Sequence, residues 1–261
     1  GKKRSGYYYS ARRHFNALET PEAVGQEAAR RTLQKLGSRK IETQEVAVIF
    51  DRDAARSIIG LLAGCVTGGA VWRKSSYLAE REGERIASDL VTIVDDPLLP
   101  RGPGSRAFDG EGLLSRRNLV VEQGTLKHFL LDSYSARKLA KQSTASASRG
   151  SSGGVGASNS NLYLSAGLQS PAELLRSTDR ALYVTDMMGF GFNAVTGDFS
   201  RGASGFWIEK GERCFPVSEV TISLNLHELL QRIDAVADDL DHRTAISAPT
   251  FRVSAMTVAG K

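Results

Sequence analysis

A histidine and a glutamate near the C-terminal end of the chain have the spacing that begins a zinc-peptidase helix. Residues 225–231 read NLHELLQ, so His227 and Glu228 are followed by two leucines. Such a helix needs a second histidine four residues after the first, because two imidazoles must meet one ion while the glutamate polarises its bound water. Position 231 holds Gln231, whose neutral amide is a poor replacement for an imidazole. We expect a surface helix rather than a zinc site, since none of the other histidines is near in sequence: His14, His128 and His242.

Two carboxylates in the segment FDGEG form a second candidate pair. Asp109 and Glu111 are two residues apart, so in an extended segment they would lie on the same side and would suit paired acid–base catalysis. Carboxylates flanked by glycine are more often turn residues, whose oxygens accept hydrogen bonds from nearby backbone N–H groups. We expect the turn.

Serine and glycine residues define no further catalytic motif. Serines are abundant, the histidines are placed by no motif, and a Ser-His-Asp triad cannot be assigned. The glycine-rich run 189–205 lacks the Gly-Lys-Ser/Thr ending of a phosphate loop. We expect its glycines to let backbone approach backbone, and the functional interpretation is a peptide lying beside a strand edge.

Composition restricts the class of protein. The chain has 261 residues, of which 41% are hydrophobic and 24% are charged, as in an ordinary globular protein. No apolar run reaches the roughly 18–20 residues that span a bilayer, so no membrane partner is expected. Cys65 and Cys214 lie in unrelated contexts, which favours free thiols in a reducing cytoplasm.

The net charge of +5 is the bulk property that points to nucleic acid. Basic residues and tyrosines concentrate at the start of the chain, in KKR (2–4), YYY (7–9) and ARRH (11–14). Cations there would neutralise phosphates, and tyrosines would stack on bases. An exposed strand with alternating tyrosines explains the same residues, and positive charge elsewhere is mixed with acids. Nucleic acid is therefore the less favoured partner.

Hydrophobic periodicity and turn residues predict the elements that must position these groups. A first helix is predicted with Thr20 as its N-cap and Pro21 in its first turn. A buried strand (45–50) and a second, apolar helix follow, and β patterns dominate from residue 86 onward. Strands are predicted at 90–94, 181–188 and 248–260, and hairpins at 118–131 and 205–217, with turns at Gln123-Gly124 and Lys210-Gly211.

Three further segments complete the predicted architecture. A short helix is expected at 133–142, and the glycine- and serine-rich run Ser143–Asn161 is expected to be a loop, mobile or functional. A last helix is predicted over 225–240, because apolar residues recur there at helical spacing. The fold class is therefore α+β, with a β-rich body, flanking helices and a main boundary near residues 37–44. The apolar stripe of the last predicted helix is Leu226, Leu229, Leu230, Ile233, Ala237 and Leu240.

Several segments, in order along almost the whole chain, resemble the TldD/PmbA family, and most of all its PmbA branch, which is also called TldE. They are ASDLVTIVDDP (87–97), FDGEG (108–112), VVEQGTLKHFLLDSYSARKL (120–139), GFNAVTGDFSRGASGFWIEKGE (191–212) and the closing APTFRVSAMTVAGK (248–261). The resemblance implies a β-rich C-terminal domain over 41–261. It also implies that residues 1–40 are the strand-plus-helix end of a middle α/β region, and that the family's N-terminal domain is missing from this chain.

The family pairs two related subunits, TldD and TldE, into a zinc peptidase that trims or degrades peptides and unfolded polypeptides. Its TldD branch carries His-Glu-x-x-x-His on a helix shortly before the VDD strand, with a later cysteine as third ligand. The resemblance places that helix at 59–64, where Ile59 and Gly64 occupy the histidine positions and Gly60 the glutamate position. No cysteine falls in 239–248, where the third ligand would be, and Cys214 is on a different strand. No catalytic or metal-binding residue is therefore expected.

The first hypothesis is a PmbA/TldE-like, non-catalytic subunit of a heterodimeric zinc metallopeptidase. Zinc would belong to the TldD-type partner, extended peptides would be the substrates, and the isolated chain could form a homodimer. The Ser143–Asn161 loop and a second loop would border the substrate chamber. The residues of that second loop are Thr196, Gly197, Asp198, Phe199 and Ser200.

Two alternatives come from other classes of function. One is a nucleic-acid-associated protein or a modulator of DNA gyrase, an older description of the family, and the positive charge and the N-terminal tyrosines motivate it. The other is a self-sufficient homodimeric hydrolase that uses serine or carboxylate chemistry. Steeply salt-dependent DNA binding would support the first, and activity that survives chelation without a partner would support the second.

Overall fold

The structure, a computed structural model, describes residues 3–260, within which six α-helices and thirteen β-strands form. The helices are α1 (Pro21–Leu33), α2 (Arg52–Cys65), α3 (Gly68–Trp72), α4 (Ser133–Lys138), α5 (Pro171–Arg176) and α6 (Leu226–Gln231). The strands are β1 (Gln44–Phe50), β2 (Ile93–Asp95), β3 (Asn118–Glu122), β4 (Thr125–Leu126), β5 (Ala147–Arg149), β6 (Val155–Ala157), β7 (Leu162–Leu164), β8 (Arg180–Met188), β9 (Asp198–Glu209), β10 (Glu212–Asn225), β11 (Ile233–Val236), β12 (Ile246–Ser247) and β13 (Phe251–Ala259).

Five of these strands close on themselves into a barrel-like sheet. The ring runs β1, β8, β9, β10 and β13 and returns to β1, while β11 is added beside β13. Strands β1 and β8 are parallel, and the other neighbours are antiparallel. Because every strand of a closed sheet has two neighbours, its backbone groups find partners without an exposed edge.

Both predicted hairpins are confirmed, and their turns explain why the sequence showed them. Lys210 and Gly211, between β9 and β10, have φ of 50° and 78°. Gln123 and Gly124, between β3 and β4, have φ of 45° and 81°. Two consecutive positive φ values define the tight turn that matches the twist of paired strands, and glycine in second place adopts it without strain.

Helix α2 lies between the closed sheet and a second sheet, whose order is β12, β7, β2, β3 and β4. Asp51 caps the helix, because its side chain accepts the N–H of Ala54 at 2.9 Å. Ile58, Ile59 and Leu62 are fully buried on the side of α2 that faces the core. The chain therefore has one main hydrophobic core, built around an apolar helix, and the mixed, strand-rich α+β fold class is confirmed.

The predicted first helix is confirmed as α1, and its N-cap is Thr20, whose Oγ1 accepts the N–H of Ala23 at 3.2 Å. None of the residues of α1 is buried. Before it, residues 3–14 form neither a helix nor a strand, and a short 3-10 turn (Phe15–Ala17) follows them. The strand expected at this end of the chain is therefore not formed among the described residues.

The predicted last helix is wrong beyond Gln231. Helix α6 ends there, and Ile233–Val236 form β11, which pairs antiparallel with β13. Ile233 and Ala237 are buried as predicted, but a sheet rather than a helix buries them. The available side of β13 offers backbone hydrogen bonds that local helical spacing could not reveal.

One other strand prediction and one loop prediction need smaller corrections. The strand predicted at 90–94 is shorter and starts later, as β2. The run Ser143–Asn161 is not a plain loop, since it contains the antiparallel pair β5 and β6.

Candidate functional site

Protein groups surround the imidazole of His227. Gln231 Nε2 lies 3.1 Å from His227 Nε2, and the Arg81 guanidinium lies 3.3 Å from Nδ1 and 3.4 Å from Nε2. Burial lowers the pKa of His227, and the charge of Arg81 lowers it further. A metal cation beside this guanidinium would be repelled. The segment is a short surface helix, as the sequence predicted.

Asp109 organises a turn, as its glycine neighbours predicted. Its Oδ1 accepts the N–H groups of Glu111 and Leu113 at 2.9 and 3.0 Å, and its Oδ2 accepts that of Ala147 at 3.1 Å. Glu111 Oε2 accepts a hydrogen bond from a different backbone group, the N–H of Ser133, at 2.9 Å. Both carboxylates hold backbone in place and do not form a catalytic pair.

The segment 59–64, which the resemblance aligns with the family's zinc helix, lies in the second half of α2. Ile59 is fully buried in the core, whereas Gly64 is exposed. A Cβ at Gly60 would meet only Ile246 Cδ1, at 3.9 Å, and one at Gly64 would meet nothing within 4 Å. Zinc ligands in proteins are nitrogen, sulfur and oxygen atoms of side chains. Ile59, Gly60 and Gly64 carry none, so these three positions do not fit a zinc ion.

Metal-ligating side chains do not converge elsewhere in residues 3–260, where no group of three or more His, Cys, Asp or Glu residues could hold an ion. Cys65 is buried and Cys214 is exposed, and both are free thiols. Burial raises the pKa of Cys65 to about 11, which leaves its thiol protonated and unreactive at neutral pH.

The segment from Thr196 to Ser200, predicted as a loop and called the Asp198 loop below, is the end of a turn followed by the first three residues of β9. Hydrogen bonds between its own polar groups and Asn225 hold it in place. Thr196 Oγ1 donates to Asp198 Oδ2 at 2.6 Å, and Asn225 Nδ2 donates to Thr196 O at 2.9 Å and to Asp198 Oδ1 at 3.2 Å. The hydrogen bonds from Thr196 and Asn225 lower the pKa of Asp198. An ionised carboxylate is therefore presented at the surface by an ordered loop.

Burial alternates along the same five residues. Phe199 is 2% exposed and packs in the core, and Gly197 is also buried. Thr196, Asp198 and Ser200 are exposed. Of the five positions predicted to border a substrate chamber, only these three present side chains to the surface.

Glycines beside this loop allow the close backbone approach that the sequence predicted. A Cβ at Gly191 would lie 1.7 Å from Ser200 O, and one at Gly205 would lie 1.8 Å from Tyr183 O. Real Cβ contacts are never so short, so only glycine fits at either position. The backbone partner in both cases belongs to this chain.

Three exposed apolar side chains flank the loop, and sequence reasoning did not select them. Phe190 is 98% exposed, and Met188 and Val195 are each 56% exposed. For Phe190 the signal in the sequence was the run GFG (189–191), which places an aromatic residue between two glycines directly after a predicted strand. Exposed apolar residues beside ordered polar groups are typical of surfaces that contact another chain.

Basic residues and tyrosines at the start of the described chain are engaged with the protein itself. Tyr8 donates to Glu19 Oε1 at 2.8 Å, and its ring has the guanidiniums of Arg31 and Arg243 4.8 and 5.4 Å from its centre. Arg13 donates to the carbonyl of Ser105 at 2.9 Å. Lys2, part of the basic run, lies outside the described residues. The Tyr8 ring and the Arg13 guanidinium therefore already make contacts that hold this N-terminal segment to the rest of the protein.

The closed sheet, the second sheet and the apolar helix between them define a strand-rich α+β scaffold, and residues 3–260 contain no cluster of three or more metal-ligating side chains. Residues 43–260 match the family model described as the PmbA/TldA metallopeptidase C-terminal domain. The chain belongs to the PmbA/TldD metallopeptidase family, as its motifs predicted.

Relatives in both branches of the family are similar to this chain, with a longer match to PmbA. Metalloprotease PmbA of Escherichia coli O157:H7 is 39% identical over 261 residues, which are 100% of this chain and 56% of that protein. A metalloprotease TldD homolog of Haemophilus influenzae is 30% identical over 168 residues, 64% of this chain and 35% of that protein. The chain spans about half the length of the PmbA relatives it matches.

Solved structures of similar proteins share the fold. A candidate modulator of a DNA gyrase from Thermotoga maritima MSB8 has a TM-score of 0.91 at 32% identity, covering 98% of this chain and 59% of that one. TldE from Thermococcus kodakarensis has a TM-score of 0.83 at 26% identity, covering 92% and 55%. Within residues 3–260, no helix combines the length and apolarity needed to cross a membrane.

Proposed function

We propose that this chain belongs to a non-catalytic, peptide-engaging subunit of a two-subunit zinc metallopeptidase, with zinc held by a TldD-type partner. The observation that carries the proposal is helix α2, whose positions 59, 60 and 64 offer no metal donor on a scaffold that matches metalloproteases along its length. Unfolded or extended polypeptides are the proposed substrates, and the reducing cytoplasm is the proposed setting.

The peptide-contacting surface in this proposal is the loop around Asp198. Exposed apolar residues (Met188, Phe190 and Val195) supply contact area, and Thr196, Asp198 and Ser200 supply polar groups beside them. An extended chain presents alternating side chains and a free backbone, which such a mixed edge can contact without requiring one sequence. The chain would thereby help present substrate to the partner's zinc.

Zinc content and peptidase activity together test whether the partner alone holds the zinc and this chain is non-catalytic. The purified full-length protein and a TldD-type partner are each assayed for zinc by mass spectrometry and for cleavage of an unfolded polypeptide, alone and mixed. We expect zinc in the partner only and cleavage that rises in the mixture and is lost on chelation. Stoichiometric zinc and activity in this protein alone would overturn the proposal.

The loop itself is tested by substitution in the mixed enzyme. Phe190→Ala removes the most exposed aromatic side chain of the loop, and we expect a several-fold rise in KM for unfolded substrate. Leu168→Ala is the matched control, because Leu168 is 101% exposed but lies on a different part of the chain. Equal kinetics for the two variants would remove the loop from the substrate path.

A gyrase-modulating or nucleic-acid-associated role is the alternative proposal. The name of the Thermotoga maritima relative and the net charge of +5 are its support. Against it, Tyr8 and Arg13 are engaged within the chain, as described above. Binding of a DNA duplex at physiological salt, with an affinity that falls steeply as salt rises, would favour this alternative.

A further inference from the structure

A cleft of about 240 Å³ lies between α1 and the end of the closed sheet at which β1 and β8 finish. Its floor is formed by Asp51, Tyr183 and Thr185, together with Thr250 just before β13. Side chains of α1, Arg31 among them, form the facing wall. The volume is below the roughly 300–1,000 Å³ of sites for drug-sized ligands, which suits one or two residues of a peptide.

Asp51 is the carboxylate of this cleft that lacks a basic partner. Its Oδ1 caps α2 through the N–H of Ala54 at 2.9 Å, and none of the ion pairs formed by residues 3–260 includes it. Arg31 is near but is committed to Glu27 and Asp53, at 2.8 and 3.1 Å. Burial raises the pKa of Asp51 to about 7. A half-buried carboxyl without a cationic partner gains most from a ligand that brings a positive charge and N–H donors.

Other polar groups of the cleft are already arranged by the protein. Asp239 accepts both the backbone N–H and the Oγ1 hydroxyl of Thr250, at 2.8 and 2.9 Å. Arg213 lies with its guanidinium 4.3 Å from the centre of the Tyr183 ring. Burial raises the pKa of Tyr183, and Asp51 raises it further while Arg213 opposes. Asp51 and Arg213 therefore shift the pKa of Tyr183 in opposite directions, and the cleft contains both negative and positive side chains.

A second groove, of about 670 Å³, continues from this cleft along β8. The two spaces share Thr185 and Asp186, and the groove then passes Met187, Met188 and Ser57. Met188 is also one of the exposed apolar residues beside the Asp198 loop. The groove combines the apolar side chains of Met187 and Met188 with serines and charged residues. The cleft and the groove together form an elongated path that suits an extended chain and not a compact small molecule.

We propose that the cleft binds a primary ammonium group of an extended peptide at Asp51, and that the peptide leaves along the groove past Met187 and Met188. The α-amino end of the peptide and a lysine side chain carry the same ammonium chemistry. The proposal rests on the proposed function for the peptide nature of the ligand, and it gives that function an anchoring point. Charge-assisted hydrogen bonds from the ammonium to a desolvated carboxylate supply its specificity.

Calorimetric titration of the purified protein, with no partner present, tests the proposal at pH 8. Three probes are used: tetra-alanine with a free amine, N-acetyl-tetra-alanine, and an N-acetylated tetrapeptide with one internal lysine. We expect binding of the first or third probe and at least ~10-fold weaker binding of the second. Binding of tetra-alanine identifies the chain end as the source, and binding of the lysine peptide identifies the side chain. Equal binding of all three, or binding of none, overturns the proposal.

Asp51→Asn provides the second arm, because asparagine is as good an N-cap as aspartate and the fold should survive. We expect this variant to bind the preferred probe at least ~10-fold more weakly, with its circular dichroism unchanged. Asp179→Asn, at an exposed aspartate outside the cleft, is the matched control and should bind as the wild type. Unchanged affinity in Asp51→Asn would overturn the site. Because no zinc partner takes part, these titrations can succeed or fail independently of the peptidase assay.

Discussion

Arg201 Nη1 donates a hydrogen bond to Ser57 Oγ across 3.1 Å and so joins strand β9 to the outward side of helix α2. Arg201 directly follows Ser200, the last residue of the Asp198 loop, and Ser57 lies one turn before Gly60 on the helix. The Nε of Arg201 is buried without a partner, so the Ser57 hydroxyl is a large part of what holds this guanidinium. A hydrogen bond therefore joins the strand that begins in the proposed peptide surface to helix α2.

Ser57→Ala should weaken this connection. Loss of a hydrogen bond to a charged, part-buried group lowers stability by about 1–2 kcal/mol, and we expect that decrease in the free energy of unfolding by urea. Ser151→Ala, at an exposed turn position, should change it by less than about 0.5 kcal/mol. Equal effects of the two substitutions would show that the Arg201–Ser57 contact does not stabilise the fold.

Gly60 and Gly205 should respond to alanine in opposite directions. Gly60 is inside a helix, and its new Cβ would make an ordinary contact at 3.9 Å from Ile246 Cδ1. Alanine there should stabilise by about 0.5–1 kcal/mol, because it restricts the unfolded chain and favours the helix. A Cβ at Gly205 would lie 1.8 Å from Tyr183 O, and alanine should destabilise by more than about 2 kcal/mol. Thermal unfolding of both variants checks the sign of each change.

Asp51→Asn should stabilise the protein above neutral pH. Burial raises the folded-state pKa of Asp51 to about 7, whereas the unfolded value is about 3.9. The folded carboxyl retains its proton where the unfolded one does not, so wild-type stability falls as pH rises from about 4 to about 7. The variant avoids this loss. Charged and titratable groups around Asp51 are Arg31, Arg52, Asp53, Tyr183, Asp186, Arg213 and Asp239.

Chemical denaturation at pH 4 and pH 8 measures this difference. We expect the two proteins to agree within about 0.5 kcal/mol at pH 4 and the variant to be more stable by about 1–3 kcal/mol at pH 8, since one pKa unit corresponds to about 1.4 kcal/mol. A variant that is less stable at pH 8 would mean that Asp51 is ionised and favourably paired in the folded protein.

His227→Gln should leave zinc binding and the activity of the mixed enzyme unchanged. The guanidinium of Arg81 lies 3.3 and 3.4 Å from the two ring nitrogens, so a metal ion there would meet a positive charge. Equilibrium dialysis against zinc, followed by mass spectrometry, compares the variant with the wild type. Loss of one bound zinc per chain in the variant would contradict this expectation.

Thiol labelling should distinguish the chain's 2 cysteines. Cys214 is exposed, whereas Cys65 is buried and burial raises its pKa to about 11. We expect one equivalent of a disulfide reagent to react in the native protein at pH 8 and both thiols to react in guanidinium. Rapid reaction of both in the native protein would show that α2 opens readily from the core.

Local chemistry explains what the sequence could predict. Thr20 and Pro21 begin α1, and Gln123-Gly124 and Lys210-Gly211 form turns, because caps and positive φ values depend on a few adjacent residues. The residue types at positions 59, 60 and 64 were equally visible, and neither glycine nor isoleucine has a side chain that can ligate zinc in any fold.

The segment after Gln231 shows where local pattern fails. Ile233 and Ala237 have helical spacing with the leucines of α6, yet Ile233–Val236 pair with β13. Apolar residues in a short segment satisfy either period, and hydrogen bonds to a strand some twenty residues later in the chain decide between them. Only the tertiary arrangement supplies that strand.

The sequence by itself determined the family and the strand-rich α+β class, and it placed no metal donor at positions 59, 60 and 64, because each of these depends on residue type or on neighbouring positions. Tertiary structure alone decided which distant groups meet. Ser57 and Arg201 are separated by 144 positions, and Asp51 shares its cleft with Tyr183 and Arg213. Closure of the sheet joins β1, β8, β9, β10 and β13 in one ring, and β1 and β8 contact α2. No local pattern encodes that closure.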